Sequence, residues 1–134
     1  MLRTADVRLL LALFGVLVLI SPGWAAGEFD GLWKPIPIRL PGGSEIDPYH
    51  CIPSEPNGAI LVEGDAYGEV DGWCRMANPV AVRDMNATLF DVTCQGDWGS
   101  RTDRQLFMLY RDKDDRERLL IVDPSGSSEW ERCE

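Results

Sequence analysis

From residue 59 onward, apolar and polar positions alternate with a period of two, the pattern of half-buried β-strands, and no stretch repeats its apolar positions at helical spacing. Ile60, Leu61 and Val62 make a short apolar run. Gly64 and Gly68 disfavour a helix around it, and Asp71-Gly72 is a tight-turn dipeptide directly before Trp73 and Cys74. Asn78-Pro79 breaks the pattern, and Val80 and Val82 open a further extended piece. Across residues 88–94, Phe90, Val92 and Cys94 share the face predicted to be core, while Leu89, Asp91 and Thr93 lie on the other. Two wholly apolar runs, 106–110 and 119–122, flank an entirely charged connection at 111–118. That predicts an exposed hairpin joining two strands that are central or packed on two sides. Residues 124–128 turn the chain into a last strand, in which Trp130 and Cys133 fall on opposite faces. Both faces are then partly covered, or a bulge intervenes.

The first half reads differently. Ile36, Ile38 and Leu40 alternate with Pro35, Pro37 and Arg39 inside a proline-punctuated arm at 28–43, predicted to be an extended edge segment because proline cannot donate to a central ladder. Residues 47–58 hold three prolines, Cys51 and the turn signal Pro56-Asn57-Gly58, and are predicted to be loop. At the start of the chain, Arg3 and Arg8 precede an apolar run over 9–20 and the small-x-small site Gly23-Trp24-Ala25. Residues 1–25 therefore read as a secretory signal peptide, leaving 26–134 as a single secreted β domain. The apolar run is shorter than the roughly twenty residues a spanning helix needs, so no stable membrane insertion is expected after leader cleavage. The predicted fold is all-β: an antiparallel meander of six or seven strands curled into a small barrel or sandwich and stapled by two disulfides.

The disulfide expectation comes from four cysteines, Cys51, Cys74, Cys94 and Cys133, in a chain addressed to an oxidising compartment, secreted or periplasmic. Three pairings are open. Cys51 with Cys74 and Cys94 with Cys133 is favoured, because sequential pairing closes two separate loops that each bracket a hairpin. Zinc is disfavoured, since its cysteines usually come in closely spaced pairs. Charge narrows the partners further: 13 Lys and Arg stand against 22 Asp and Glu, a net −9 at pH 7. That balance argues against nucleic acid and anionic membrane surfaces and leaves basic partners open.

Catalytic chemistry finds little footing. His50 is the only histidine, with Asp47 upstream, and no serine lies in a nucleophile-elbow sequence. Acids are so numerous that pairs meet by chance, and none is flagged by an apolar neighbourhood that would raise its pKa, so an acid-pair hydrolase ranks low. The run Asp112-Lys113-Asp114-Asp115-Arg116-Glu117 superficially matches a calcium loop, but its fifth and sixth positions are wrong for an EF-hand, and it is predicted to be a solvated hairpin tip. Glu45, Asp47, Glu55, Glu63, Asp65, Glu69 and Asp71 lie in the base-free stretch 40–74, a solvated surface or a face for a basic partner. Asn86-Ala87-Thr88 matches a glycosylation sequon. No cofactor or metal site is expected. Trp33, Trp73 and Trp130 stand in or beside predicted strands and are expected to pack in the core or against a disulfide. Trp98, with Arg101 close by, stands in a predicted polar loop at 95–103, where the two form a candidate binding loop.

The segment from Cys74 to Cys133 carries the chain's resemblance to known proteins. Its marks are the stretches 74–80 and 85–91, Cys94, the Trp98 and Arg101 pair, and the terminal Trp130-Glu131-Arg132-Cys133. With these it resembles small uncharacterised secreted proteins of proteobacteria that have four cysteines. The resemblance implies an envelope setting and a cysteine-stapled β fold and brings no catalytic residues. Small β-barrel inhibitors of lysozyme share the size and setting, although their Ser-Gly-x-x-Tyr loop motif is absent here. The expected function is a non-enzymatic secreted or periplasmic binding module for an envelope protein or glycan, with a lysozyme or protease inhibitor as the alternative.

Overall fold

Turn dipeptides and period-two runs divide the chain into ten strands: β1 Gly31–Pro35, β2 Ile38–Arg39, β3 Glu45–Ile46, β4 Ile60–Glu63, β5 Ala66–Glu69, β6 Gly72–Ala81, β7 Ala87–Gly96, β8 Gly99–Arg111, β9 Glu117–Asp123 and β10 Gly126–Arg132. A 3-10 turn, Ala25–Phe29, precedes them. The computed structural model describes residues 25–53, 56, 58–69 and 71–134, so the predicted signal peptide lies, but for its last residue, outside the described residues. Eight strands close into an antiparallel barrel in the order β1-β10-β9-β8-β7-β6-β5-β4, and β2 pairs with β3 in a separate hairpin. Closure is made by β1, which pairs with β10 on one side and β4 on the other, so the barrel offers no free edge. The expected meander is present with one strand more than foreseen, because β1, assigned from its prolines to an exposed edge, carries Trp33 into the barrel wall.

Alternation along each strand sends one set of side chains inward. Trp33, Ile60, Val62, Tyr67, Met76, Phe90, Val92, Phe107, Leu119 and Ile121 form the buried core. The predicted face Phe90, Val92, Cys94 is among the residues facing the barrel's interior. One end of the barrel is plugged by Phe29, fully buried, whose ring meets Phe90 and Phe107 edge-to-face with centroids 6.1 and 5.7 Å away. Trp33 donates to the Phe29 carbonyl at 2.9 Å, and Arg132 stacks on the Trp33 ring at 4.2 Å. The opposite end is surrounded by the β5–β6, β7–β8 and β9–β10 turns. Charged side chains such as Arg75 and Arg104 lie on the outer wall, opposite in arrangement to a membrane barrel. Among the described residues no helix is long and apolar enough to cross a membrane.

The structure corrects the disulfide pairing. Cys74 bonds Cys94, with Cα atoms 4.0 Å apart, and Cys51 bonds Cys133. Cys74 and Cys94 are directly opposite in the β6–β7 ladder, and both point into the barrel, which brings their side chains together as a cross-strand pair. Sequential pairing treats the cysteines as loop closures and ignores that two inward positions of one hairpin must meet. Cys133 follows β10 on the side away from Trp130, where the segment carrying Cys51 covers it. Cover on both faces, rather than a bulge, therefore resolves the opposed placement of Trp130 and Cys133. A bulge does occur at Asn78-Pro79, where the register with β7 shifts and Asn78 has φ 51°, so β6 bends where the sequence pattern suggests a break.

The segment after β1 leaves the barrel and crosses its outer wall as an arm. The Ile36 amide bonds the Glu129 carbonyl, Lys34 binds both Asp47 and Glu131, and the Cys51–Cys133 bond ties the arm's far end to the strand beside β1. Within the arm Ile38 pairs with Ile46, and each is 49% exposed.

Candidate functional site at the barrel mouth

The segment 95–103, expected to be a polar loop, is mostly ladder: β7 continues to Gly96 and β8 begins at Gly99, leaving a two-residue tip of Asp97 and Trp98. Gly99, with φ 107°, supplies the left-handed backbone such a tip requires. Gly96 occupies an inward position, where a Cβ would lie 2.6 Å from the Trp98 Nε1. The missing side chain is what allows the indole to fold back over the end of the barrel. One face of Trp98 is thus seated while the residue stays 54% exposed.

Arg101, two residues into β8, is cross-strand to Cys94 and therefore also turns toward the mouth. Its guanidinium stands 5.7 Å from the centre of the Trp98 ring, and its Nε donates to Asp103 at 2.9 Å. The sequence-predicted pair is thus brought together, on a strand and its tip rather than on a flexible loop. Behind it runs a hydrogen-bonded chain that sequence reasoning missed. Gln105 Nε2 donates to Asp103 at 2.9 Å, and the Tyr67 hydroxyl donates to Gln105 Oε1 at 2.8 Å, with both Gln105 and Tyr67 buried. The available signal was period two: Arg101, Asp103 and Gln105 continue inward the alternation that places Phe107 in the core. Among the described residues no buried side-chain nitrogen or oxygen lacks a partner.

Trp98, Arg101, Gln105 and Tyr67 line a narrow crevice of about 80 Å³ that Trp73, Trp130 and Asp123 also reach. Trp73, expected in the core or against a disulfide, is instead 49% exposed on the rim, with Arg75 at 5.8 Å from its ring, because Cys74 takes the inward position beside it. Trp130 faces inward and donates to Ser128 Oγ at 2.9 Å. Asp123 caps the β9–β10 turn. Hydrogen bonds from the Ser125 hydroxyl, and then from the Ser125 and Gly126 amides, hold its carboxyl below the usual aspartate range against a desolvation penalty, with a further contribution from Arg101.

A larger cavity, about 570 Å³, lies on the outer wall beside Cys51–Cys133. Its charges are already matched to one another. Arg118, placed by sequence in an exposed charged connection, belongs to β9 and is only 3% exposed. It joins Asp112 at 2.8 Å and binds Glu131, which in turn holds Lys34 at 3.3 Å. Arg118, Glu131 and Lys34 are successive cross-strand neighbours in one row of β9, β10 and β1. The calcium-like run is the β8–β9 tip. There Asp112 accepts the amides of Asp114 and Arg116 and the Arg118 guanidinium, so its oxygens are committed to the turn. His50 is exposed on the arm near Asp47, whose carboxylate is held by Lys34. Asn86 is exposed in the β6–β7 turn, while Thr88 is buried with its hydroxyl toward Glu28. Among the described residues no cluster of three or more His, Cys, Asp or Glu side chains is arranged to hold a metal.

Comparison of the chain with protein-family models, curated proteins and solved structures finds no match.

Proposed function

We propose that the chain is a non-enzymatic binding module, secreted or periplasmic, that engages an envelope protein or glycan through the barrel mouth. The observation carrying this reading is Trp98: a large apolar face held half-exposed on a two-residue tip between paired strands, beside the arginine that stacks on it. Rigid aromatic anchors of this kind lose little conformational freedom on binding, and Trp and Arg dominate the energetics of interfaces. Two disulfides support an oxidising compartment. Immobilised wild-type protein and the Trp98→Ala variant, exposed to the same native envelope extract, test it. A partner retained by the wild type should be lost from the variant, which corresponds to a weakening of about 2 kcal/mol or more. The variant's melting temperature should stay close to that of wild type, since Trp98 lies outside the buried core. Equal retention by both proteins would overturn the reading.

The inhibitor alternative has one observation of its own, the arm. It projects Ile38 and Ile46 as an exposed cross-strand pair on a hairpin tied at its base by Cys51–Cys133. If the arm enters an enzyme's cleft, inhibition of a lysozyme or a protease should disappear in the Ile38→Asp variant and persist in Trp98→Ala.

A further inference from the structure

We infer that the barrel mouth receives a projecting cationic side chain, a guanidinium or ammonium of a basic partner protein, and that Arg101 occupies the position the incoming cation takes. The inference rests on the mouth being the binding site and names its ligand class.

Size is the first argument. A crevice of about 80 Å³ is far below the 300 Å³ or more of an ordinary small-molecule pocket, so it admits one projecting group and not a whole ligand. Charge is the second. Asp103 and Asp123 stand at the mouth, and the turns around it carry Asp71 and Asp97, whereas Arg101 is the cation among the described residues lining the crevice. Arg101 is itself engaged by Asp103, so an anionic ligand would meet a net negative mouth. The third argument is what Arg101 does there. Its guanidinium lies over the Trp98 ring and against the Asp103 carboxylate, an arrangement of aromatic face and carboxylate that suits any similar cation. With its side chain 56% exposed, its pair with Asp103 is weak enough to be exchanged. Finally, the net charge of −9 attracts basic proteins from a distance and raises their encounter rate.

The test is a titration of the whole mature protein, followed by tryptophan fluorescence, with a hexa-arginine peptide, an uncharged Gly-Ser peptide of the same length and a neutral chito-oligosaccharide. Hexa-arginine should bind and the uncharged peptide should not. Trp98→Ala, which leaves net charge unchanged, should weaken binding about tenfold. Arg101→Ala should tighten it by a similar factor, because the competitor has been removed. Arg104→Ala controls for bulk charge: it removes a cation from the outer wall of the same strand, paired there with Asp91, and should leave affinity within about twofold. Arg101→Gln replaces Arg101→Ala if the latter does not fold. Weaker or unchanged binding in the Arg101 variant, or equal tightening in Arg104→Ala, overturns the inference. Trp98-dependent binding of the oligosaccharide without the peptide overturns the ligand class and leaves the mouth standing as the site. If neither probe depends on Trp98, both readings fall.

Discussion

At the scale of single residues, the arginine the sequence makes ordinary is the one the fold makes critical. Arg118 sits under the arm with Asp112 on one side and Glu131 on the other, its side chain 4% exposed. Burial works against its charge, and the hydrogen bonds it donates to Glu131 and Asp112 more than restore it, so its pKa is raised. Replacing it removes the covered cation between two carboxylates, leaving Glu131 only its ionic contact with Lys34 and Asp112 only that with Arg116, each at 3.3 Å, which is the costly way to break a covered ion pair. Arg118→Ala should therefore lower stability by about 3 kcal/mol, read from denaturant unfolding, while Arg116→Ala at the exposed tip should cost less than about 1 kcal/mol. Gly96 makes the complementary point. Its substitution by alanine would place a methyl 2.3 Å from the Asp71 carbonyl oxygen and 2.6 Å from the Trp98 indole nitrogen, so Gly96→Ala should shift Trp98 fluorescence, impair partner binding and lower the melting temperature by straining the neighbouring β5–β6 turn.

At the scale of elements, the two disulfides do different work. Cys74–Cys94 joins neighbouring strands 20 residues apart and lies inside the barrel, each residue no more than 5% exposed. Cys51–Cys133 spans 82 residues and ties the arm to the end of β10 at the surface. In the chain-entropy account the longer loop stabilises by about 4 to 5 kcal/mol and the shorter by about 3 kcal/mol. Accessibility orders their reduction the other way round from their entropic worth, because exchange requires a thiolate to reach the sulfur. Graded reductant followed by alkylation and peptide mapping should first label Cys51 and Cys133, then Cys74 and Cys94 only as the barrel opens. Labelling of Cys74 and Cys94 first would show that the barrel end opens more readily than the arm detaches.

At the scale of the whole molecule, acidity decides the pH range of stability. Burial opposes ionisation of Asp112, yet the Arg116 amide, the Arg118 guanidinium and the Asp114 amide outweigh it and bring its pKa down to about 2. Asp47, hydrogen-bonded by Lys34, and Asp123, by Ser125, are also lowered. A carboxyl whose folded pKa lies below its unfolded value contributes fully above the unfolded value, about 3.9, and loses that contribution as pH falls through the folded one. Lys34 has the opposite sign. The hydrogen bond it donates to Asp47 raises its pKa above the ordinary lysine value of 10.5 despite desolvation, so its contribution is full below that value and is lost only at higher pH. Melting temperature should accordingly be flat across neutral pH and fall between about pH 5 and pH 2. Asp112→Asn should begin lower and show a shallower acid limb.

What the sequence by itself determined is whatever depends on neighbours along the chain. The period-two pattern marked Phe90, Val92 and Cys94 as one face, Asp71-Gly72 as a turn, and the apolar runs at 106–110 and 119–122 as paired strands. Composition pointed to two disulfides, and Trp98 stood out by its polar setting. What the tertiary structure decided depends on which residues meet across space. Closure of the barrel gives β1 a partner on both sides, with Trp33 in the core as expected, and sends Trp73 to the rim. Register across β6 and β7 selects Cys74 with Cys94, leaving Cys51 to reach Cys133 through the arm. The mouth is of the same kind: Tyr67 reaches Gln105 across 38 positions of sequence. Residue type and local period fix a side chain's face, whereas its partner is set by ladder register and barrel closure, and those are properties of the strands taken together.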